Sequence, residues 1–196
     1  MRIEITGLAT LPEVRPGDDL ASLIRTAAAE EQQTIDGSVL LAIAQKIVSK
    51  AEGALVDLRK IEPSALARTW ARAYGKDPRL IEVILTQSRR IVKMDRGVLV
   101  TETRIGLVCA NAGVDQSNTG GEDLATILPE DSDASAARLR TALGCGAVVV
   151  TDTIGRPWRE GLIDVAIGCG FGRPRGLPRL CRQARTAIDE HHYRCC

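Results

Sequence analysis

The sequence predicts an α+β fold in which helices flank a mixed β-sheet. Two continuous apolar runs of strand length, residues 38–44 and 147–151, are typical of strands buried on both faces. Stretches with helical periodicity, opened by capping residues, lie between these runs. Because strands and helices do not alternate strictly, the pattern favours α+β over a parallel α/β fold.

The other elements are predicted from capping and turn residues. Residues 1–7 alternate weakly and predict a first strand. Asp18 or Asp19 can cap a helix that runs from Leu20 to about Glu31. Further along the chain we predict, in order, a short strand at 56–59, helices at 62–74 and 77–88, strands at 89–97 and 98–103, a strand at 105–110, a loop or short strand at 124–129, and a helix at 133–143 capped by Ser132 or Asp133.

Composition and charge exclude several classes of function. The chain has 196 residues, enough for one domain or two small lobes, with 26% charged residues and a net charge of +1. Aromatic residues make up only 3%, which argues against a stacking surface for single-stranded nucleic acid. No apolar run approaches the roughly 18 residues of a membrane helix, and the N-terminus does not resemble a signal peptide. We therefore expect a cytoplasmic protein with neither nucleic acid nor membrane as a partner.

Residues 169–196 differ in composition from the rest of the chain. They contain four of the six cysteines, both histidines and the only phenylalanine, with several arginines and no lysine. The spacing of these cysteines and histidines matches no usual structural zinc site. We therefore divide the chain into a main domain at 1–168 and an atypical tail at 169–196, which we expect to be disordered or the product of a frameshift.

Polar clusters follow the predicted strands at the point where each strand ends. The clearest is residues 109–118, where an apolar run leads into a loop rich in side-chain oxygens and hinged by Gly113. Similar clusters occupy 45–50 and 152–159, and a fourth lies at 11–19, between the first strand and the first helix. Binding sites are commonly built from loops at strand ends, so these clusters form a single site if they converge.

Converging clusters would provide the groups that phosphoryl transfer needs. Asp115 and Asp152 offer hard oxygen ligands to one Mg²⁺ or Mn²⁺ ion, and Thr153 offers a hydroxyl to the metal or to a phosphate. No Walker A motif is present, so a nucleotide would bind without a P-loop. Cations suited to phosphate groups are also available: Lys50, Arg156 and Arg159.

Each of these residues also has a purely structural interpretation. Asp115 and Asp152 can simply cap polar turns, and Lys50 can be a solvated residue at a strand end. The two arginines can pair with surface carboxylates, which contributes little to stability. Cys109 and Cys145 are most simply small buried apolar residues.

Four motifs resemble, in the same order, those of the coenzyme F420-0:L-glutamate ligase family. They are LPEVRPGDD at 11–19, QKIVSKAEG at 45–53, ANAGVDQSN at 110–118 and TDTIGRPWR at 151–159. The resemblance covers about residues 3–168, since the linking segments are similar to the family as well. It implies the α+β fold of that family.

The resemblance also implies a GTP-dependent ligase. The family adds L-glutamate through a γ-linked amide bond to coenzyme F420-0, through an acyl phosphate, with Mg²⁺ or Mn²⁺; K⁺ is a further candidate cofactor. Its members are homodimers. By motif, the nucleotide contacts would be Leu11, Pro12, Glu13, Val14, Gln45, Lys50 and Asn118; the metal ligands would be Asp115, Asp152 and Thr153; and Arg156 and Arg159 would contact phosphate or substrate.

The chain departs from the family after residue 168. The family continues there with further helices, strands and binding groups, whereas residues 169–196 resemble none of them. Read one nucleotide out of phase, the codons for residues 189–196 permit Thr-Asn-Thr-Ile-Ile-Ala-Val-Ala, which is similar to the family's own continuation. We therefore expect a family fold truncated at its C-terminal end. The alternatives are an inactive fragment that at most binds nucleotide or metal, and a tail that binds metal or nucleic acid.

Overall fold

The computed structural model describes residues 3–155 and 162–171. Two 3₁₀ turns, Leu58–Lys60 and Asn111–Gly113, interrupt its loops. No helix in these two ranges is long and apolar enough to cross a membrane. The helices and strands are, in chain order, α1 (Leu20–Glu30), β1 (Leu40–Ala44), α2 (Gln45–Ala51), β2 (Leu55–Asp57), α3 (Ala65–Tyr74), α4 (Pro78–Gln87), β3 (Ser88–Asp95), β4 (Val98–Thr103), β5 (Val108–Ala110), β6 (Leu124–Thr126), α5 (Ser132–Leu143), β7 (Ala147–Gly155) and β8 (Leu162–Phe171).

The largest sheet is mixed, with the strand order β1-β7-β8. β1 runs parallel to β7, whereas β8 runs antiparallel to β7. Helices α1, α2 and α5 pack on this sheet through a core whose members include Ile24, Ile43, Val48, Val150 and Ile167. The predicted α+β fold, a mixed sheet with flanking helices, is confirmed.

The prediction that residues 38–44 are buried on both faces is wrong. Leu40 is 59% exposed, and Ile43 is the only fully buried residue of β1. Alternate residues of a strand point to opposite faces, and in β1 it is the other face, carrying Leu40, Ala42 and Ala44, that is exposed. In the part of the chain described, β1 lies at the edge of the sheet with β7 as its one neighbour, and the helices cover the face that carries Ile43.

Two glycines of β8 let α5 lie directly on the sheet. A Cβ atom on Gly168 would stand 2.3 Å from the carbonyl carbon of Ser132, and one on Gly170 would stand 2.6 Å from that of Ala136. Residues two apart on a strand share a face, so both glycines meet the same side of α5. The closeness of this backbone contact explains why side chains are absent at both positions.

A second, smaller unit packs α3 and α4 against the antiparallel sheet β3-β4-β5. Its core contains Ala67, Ile81, Ile84 and Leu99. The two-stranded ribbon of β2 and β6 adjoins this unit through a small cluster of Leu58, Val83 and Ala125. The predicted pair of strands at 89–97 and 98–103 is confirmed as β3 and β4, which are antiparallel neighbours.

Several predicted element boundaries differ from the structure. Residues 3–7, predicted as part of a first strand, have no regular structure, and Ile5 is 93% exposed because no strand within 3–155 and 162–171 pairs with this segment. The cap of α1 is Asp19, one of the two predicted. The cap of α5 is Asp131 and not Ser132 or Asp133, because the Asp131 carboxylate accepts from the N–H of Ala134.

The predicted domain boundary after residue 168 falls inside a strand. β8 was not predicted as a strand, and it continues through Cys169 to Phe171, paired with Val149 and Ala147 of β7. Residues 172–196 of the predicted tail lie outside the described residues.

Candidate functional site

A cavity of about 710 Å³ lies at the carboxyl end of β1, beside β7. Because these strands are parallel and Ala44 pairs with Thr151, the residues that follow each of them emerge side by side. The loop that precedes α1 and the loop between β5 and β6 form the remaining walls. The cavity therefore stands where the carboxyl ends of neighbouring parallel strands deliver loops, a common position for binding sites.

The cavity brings together every predicted nucleotide and metal residue. Each comes from one of the four polar clusters, so the clusters converge in space. Arg156 and Arg159 lie outside the described residues. The binding roles of all these residues stay predictions. The residues that line the cavity as expected are Leu11, Pro12, Glu13, Val14, Gln45, Lys50, Asp115, Asn118, Asp152 and Thr153.

Two lysines one helical turn apart, Lys46 and Lys50, project from α2 into the cavity wall. Lys50 is only 7% exposed, and its ammonium forms an ion pair with the carboxylate of Glu13. The hydrogen bond that Lys50 donates to Glu13 is the main cause of the lowered pKa of this exposed carboxyl. A buried ammonium needs a counter-charge, so this pair ties the loop before α1 to the side of the cavity.

Asp115 is fixed through both its backbone and its side chain. Its N–H and C=O pair with Thr126 of β6, at N···O distances of 3.1 and 2.7 Å. Its carboxylate accepts from the backbone N–H and the hydroxyl of Ser117, at 2.7 and 2.8 Å, and lies 2.5 Å from Nζ of Lys46. Burial alone would raise the pKa of Asp115, but the hydrogen bonds from Lys46 and Ser117 outweigh it and the pKa is lowered. Asp115 therefore remains a carboxylate at neutral pH.

The pKa of Asp152 is shifted in the opposite direction from that of Asp115. Burial is the largest cause that raises its pKa, and the charges of Asp115 and Asp164 raise it further. The backbone N–H of Thr153, 3.0 Å from Oδ1 of Asp152, opposes the shift, as does the charge of Lys46. Burial and the two neighbouring carboxylates thus outweigh these two opposing effects, and the pKa of Asp152 is raised.

Two charged residues of the cavity were missed by the sequence analysis. Lys46 contacts Asp115, and Asp164 of β8 accepts a hydrogen bond from the Thr153 hydroxyl at 2.6 Å. The signal for Lys46 was its spacing of four residues from Lys50, which places both on one helical face; segment 45–50 was treated as a polar strand end and not as a helix. Asp164 was missed because its strand was not predicted.

Three consecutive residues before Asp115 have left-handed backbone conformations. Asn111, Ala112 and Gly113 have φ values of 53°, 54° and 70°. For a residue other than glycine this conformation costs roughly 1–2 kcal/mol, and such strain is concentrated at functional sites. The Asn111 side chain supports the turn by accepting from the N–H of Leu99 at 3.3 Å. The turn thereby directs the chain from β5 to Asp115.

Comparison with known proteins supplies a family for this arrangement. The family model described as F420-0:Gamma-glutamyl ligase matches residues 9–178. The chain belongs to this family. Proteins named Coenzyme F420:L-glutamate ligase are similar to it: that of Methanopyrus kandleri is 52% identical over 173 residues, that of Methanothermobacter thermautotrophicus 45% over 174, and that of Methanocaldococcus jannaschii 38% over 175.

These F420-0:Gamma-glutamyl ligase relatives are longer than the part of them that the chain matches. The three alignments cover 86%, 86% and 85% of this chain but 64%, 68% and 66% of the respective relatives. The chain therefore spans about two thirds of the length of these relatives. The match to the family model also extends past residue 168, the end expected from the motifs, to residue 178.

The residues at the cavity fit the divalent metal that the resemblance to the ligase family implies. Within residues 3–155 and 162–171, no three His, Cys, Asp or Glu side chains are grouped to hold a metal by themselves. Asp115 and Asp152 are nevertheless hard oxygen donors, near enough for the charge of one to raise the pKa of the other. Mg²⁺ is commonly held by one or two carboxylates together with water and substrate phosphates. The donor set therefore fits a metal that binds together with a nucleotide.

An Asp152→Asn variant of this ligase-family chain should be more stable than the parent at neutral pH in the absence of metal. A folded-state pKa above the unfolded value means that stability is lost as pH rises through the folded pKa. An amide has no charge to desolvate, so we expect a gain of about 1 kcal/mol at pH 7, the lower end of the cost of an unsatisfied buried polar group. Urea unfolding at pH 7 and pH 3 measures the difference, which should disappear at pH 3, where both side chains are neutral. A loss of stability at pH 7 would contradict the expectation.

Proposed function

We propose that the chain acts as a ligase that joins L-glutamate to coenzyme F420-0 through a γ-linked amide bond, driven by GTP. The observation that carries the proposal is the meeting, in one cavity, of two lysine ammonium groups and two carboxylates from three separate motifs. The printed names of the relatives, Coenzyme F420:L-glutamate ligase, supply the substrates. Because the chain spans 64% of the length of the Methanopyrus kandleri protein, the activity of the whole enzyme is proposed for this chain and not assumed.

The chemistry must first activate a carboxylate. A carboxylate oxygen of the coenzyme attacks the γ-phosphorus of GTP, the bond to the β–γ bridging oxygen breaks, and an acyl phosphate and GDP result. The glutamate amine then attacks the acyl carbon, inorganic phosphate leaves, and the amine nitrogen loses one proton to solvent or a base. The first step concentrates negative charge on the transferring group, so catalysis depends on positioning and on nearby cations.

Residues of the cavity have distinct parts in this scheme. Lys50, buried and fixed by Glu13, presents an ammonium to the phosphates without needing to be ordered on binding. Asn118 and the backbone of residues 11–14 line the cavity, where they can contact the nucleotide. Asp115, Asp152 and the Thr153 hydroxyl would hold Mg²⁺ or Mn²⁺, which when bound neutralises phosphate charge and polarises the phosphoryl group.

A ligation assay with purified chain tests the proposal. The reaction contains GTP, Mn²⁺, L-glutamate and coenzyme F420-0, and the product is detected as a mass increase of one or more glutamyl units. GDP and phosphate should appear in equal amounts with the amide, and hydroxylamine should trap the acyl phosphate as a hydroxamate when glutamate is omitted. Nucleotide binding without any amide or hydroxamate would instead establish a chain that binds nucleotide but does not catalyse ligation.

Three further features accompany this proposal. We infer a homodimer, a cytoplasmic location and a contribution of K⁺ from the resemblance to the ligase family. Light scattering of the purified chain gives the oligomeric state directly, and a monomer at micromolar concentration would rule out the dimer. The dependence of ligation on K⁺ is measured by replacing it with Na⁺ at constant ionic strength.

A further inference from the structure

Lys46 and Lys50 differ in the role of the carboxylate that each one neutralises. Lys50 pairs with Glu13, an exposed residue on the loop that precedes α1. Lys46 pairs with Asp115, one of the two carboxylates proposed as metal ligands, at an Nζ···Oδ2 distance of 2.5 Å. Only the second pair therefore uses a carboxylate that the proposed metal needs.

The contact of Lys46 with Asp115 is part of a closed triangle. The Lys46 ammonium also donates to the Ser117 hydroxyl at 2.6 Å, and that hydroxyl in turn donates to Asp115 at 2.8 Å. Charge-assisted hydrogen bonds of this length are strong ones. A divalent cation cannot share Oδ2 of Asp115 with an ammonium in direct contact, because the two positive charges would repel each other in a partly buried site.

The Lys46 side chain is free to leave Asp115 if another anion receives it. It lines the cavity, its side chain is 24% exposed, and its stem has four rotatable bonds. Nucleotide phosphates in the same cavity would provide that anion. A metal that arrives without phosphates, in contrast, would displace the ammonium from Asp115 without supplying a new anion for it.

We propose that Lys46 supplies the positive charge beside Asp115 when no metal is bound, and that it couples metal binding to nucleotide binding. In the nucleotide-free chain its ammonium neutralises Asp115 and keeps divalent cations from binding. When nucleotide and metal bind together, the ammonium moves from Asp115 to a phosphate and the metal takes its position. This inference rests on the proposed function, because it requires Asp115 to be a metal ligand.

Binding of Mn²⁺ alone to nucleotide-free protein tests the coupling without any turnover. The variant Lys46→Met removes the charge and keeps the length of the side chain, and Lys46→Arg keeps the charge. Lys93→Met is the matched control, since Lys93 forms an ion pair with Asp95 on β3 at 3.2 Å, away from the cavity. Free Mn²⁺ is measured by electron paramagnetic resonance, and thermal unfolding checks that each variant is folded. Lys46→Gln replaces Lys46→Met if the latter does not fold.

Lys46→Met should bind Mn²⁺ at least about fivefold more tightly than the parent, the lower end of typical coupling between sites. Lys46→Arg and Lys93→Met should stay close to the parent. GTP should tighten Mn²⁺ binding less in Lys46→Met than in the parent, after correction for Mn²⁺ bound to free GTP. The reduction should equal the factor by which the variant binds Mn²⁺ alone more tightly.

The possible contrary results separate this inference from the proposed function. If the parent chain ligates glutamate and Lys46→Met binds Mn²⁺ no more tightly, the coupling by Lys46 is refuted and the ligase stands. If no form of the chain binds Mn²⁺ even with GTP present, the coupling and the proposed metal site are both refuted.

Discussion

Replacing Asp115 with asparagine is expected to lower kcat for ligation by about 10²- to 10³-fold, the typical loss when one preorganised charge-stabilising group is removed. Asparagine keeps the side-chain oxygen that accepts from Ser117 but loses the negative charge. It therefore weakens both the proposed site for the divalent cation and the anchor of Lys46. Single-turnover measurements at saturating Mn²⁺ and GTP separate a defect in the chemical step from a defect in binding.

The matched control for this prediction is Asp95→Asn. Asp95 also forms an ion pair with a lysine, but it lies on exposed β3. Its replacement should leave kcat within about twofold of the parent, because exposed ion pairs contribute little. If Asp115→Asn retains parental kcat while it remains folded, Asp115 is not part of the phosphoryl-transfer machinery.

Replacing Gly113 with alanine is expected to destabilise the chain by about 2–5 kcal/mol. The backbone at Gly113 has a φ of 70°, which costs a residue other than glycine roughly 1–2 kcal/mol. A Cβ atom there would also stand 2.7 Å from Cδ2 of Leu128, and overpacking of this kind costs about 1–3 kcal/mol. Urea unfolding gives the change in free energy, and Asp115, two residues later, should lose its alignment with Thr126.

A double-mutant cycle with Leu128→Ala separates the two causes. Shortening Leu128 removes the clash but leaves the left-handed backbone unchanged. The double variant should therefore be more stable than the sum of the single effects predicts, by about the 1–3 kcal/mol assigned to overpacking. Strictly additive effects would show that backbone conformation alone explains the requirement for glycine.

Features that depend on local chemistry could be predicted from the sequence. Asp19 caps α1 as expected, because a side-chain oxygen can satisfy the free N–H groups of the first helical turn in any context. The polar clusters were recognisable for a related reason, since apolar runs end where the chain leaves the core. The convergence of the clusters depends on the parallel pairing of β1 with β7, which no local signal specifies.

Features that depend on neighbouring segments could not be predicted. β8 contains Gly168 and Gly170, which lower strand propensity, and the need for them comes from the backbone of α5. Residues 3–7 alternate as a strand would, yet no strand in the described residues pairs with them. Lys46 was overlooked because segment 45–50 was treated as a strand end and not as a helix, and because its partner, Asp115, becomes a neighbour only in the folded chain.

The pairing of β1 with β7 has a consequence for synthesis on the ribosome. Leu40 pairs with Ala147, more than a hundred residues later, so β1 waits about 5–20 s for its partner at ordinary elongation rates. The unit of α3, α4 and β3–β5 lies wholly between these strands and makes its contacts over much shorter chain distances. Local contacts form faster than distant ones, so this unit should be assembled on the nascent chain before β7 contributes its residues to the cavity. The site is then assembled late, when β7 brings Asp152, and β8 after it brings Asp164, beside the carboxyl end of β1.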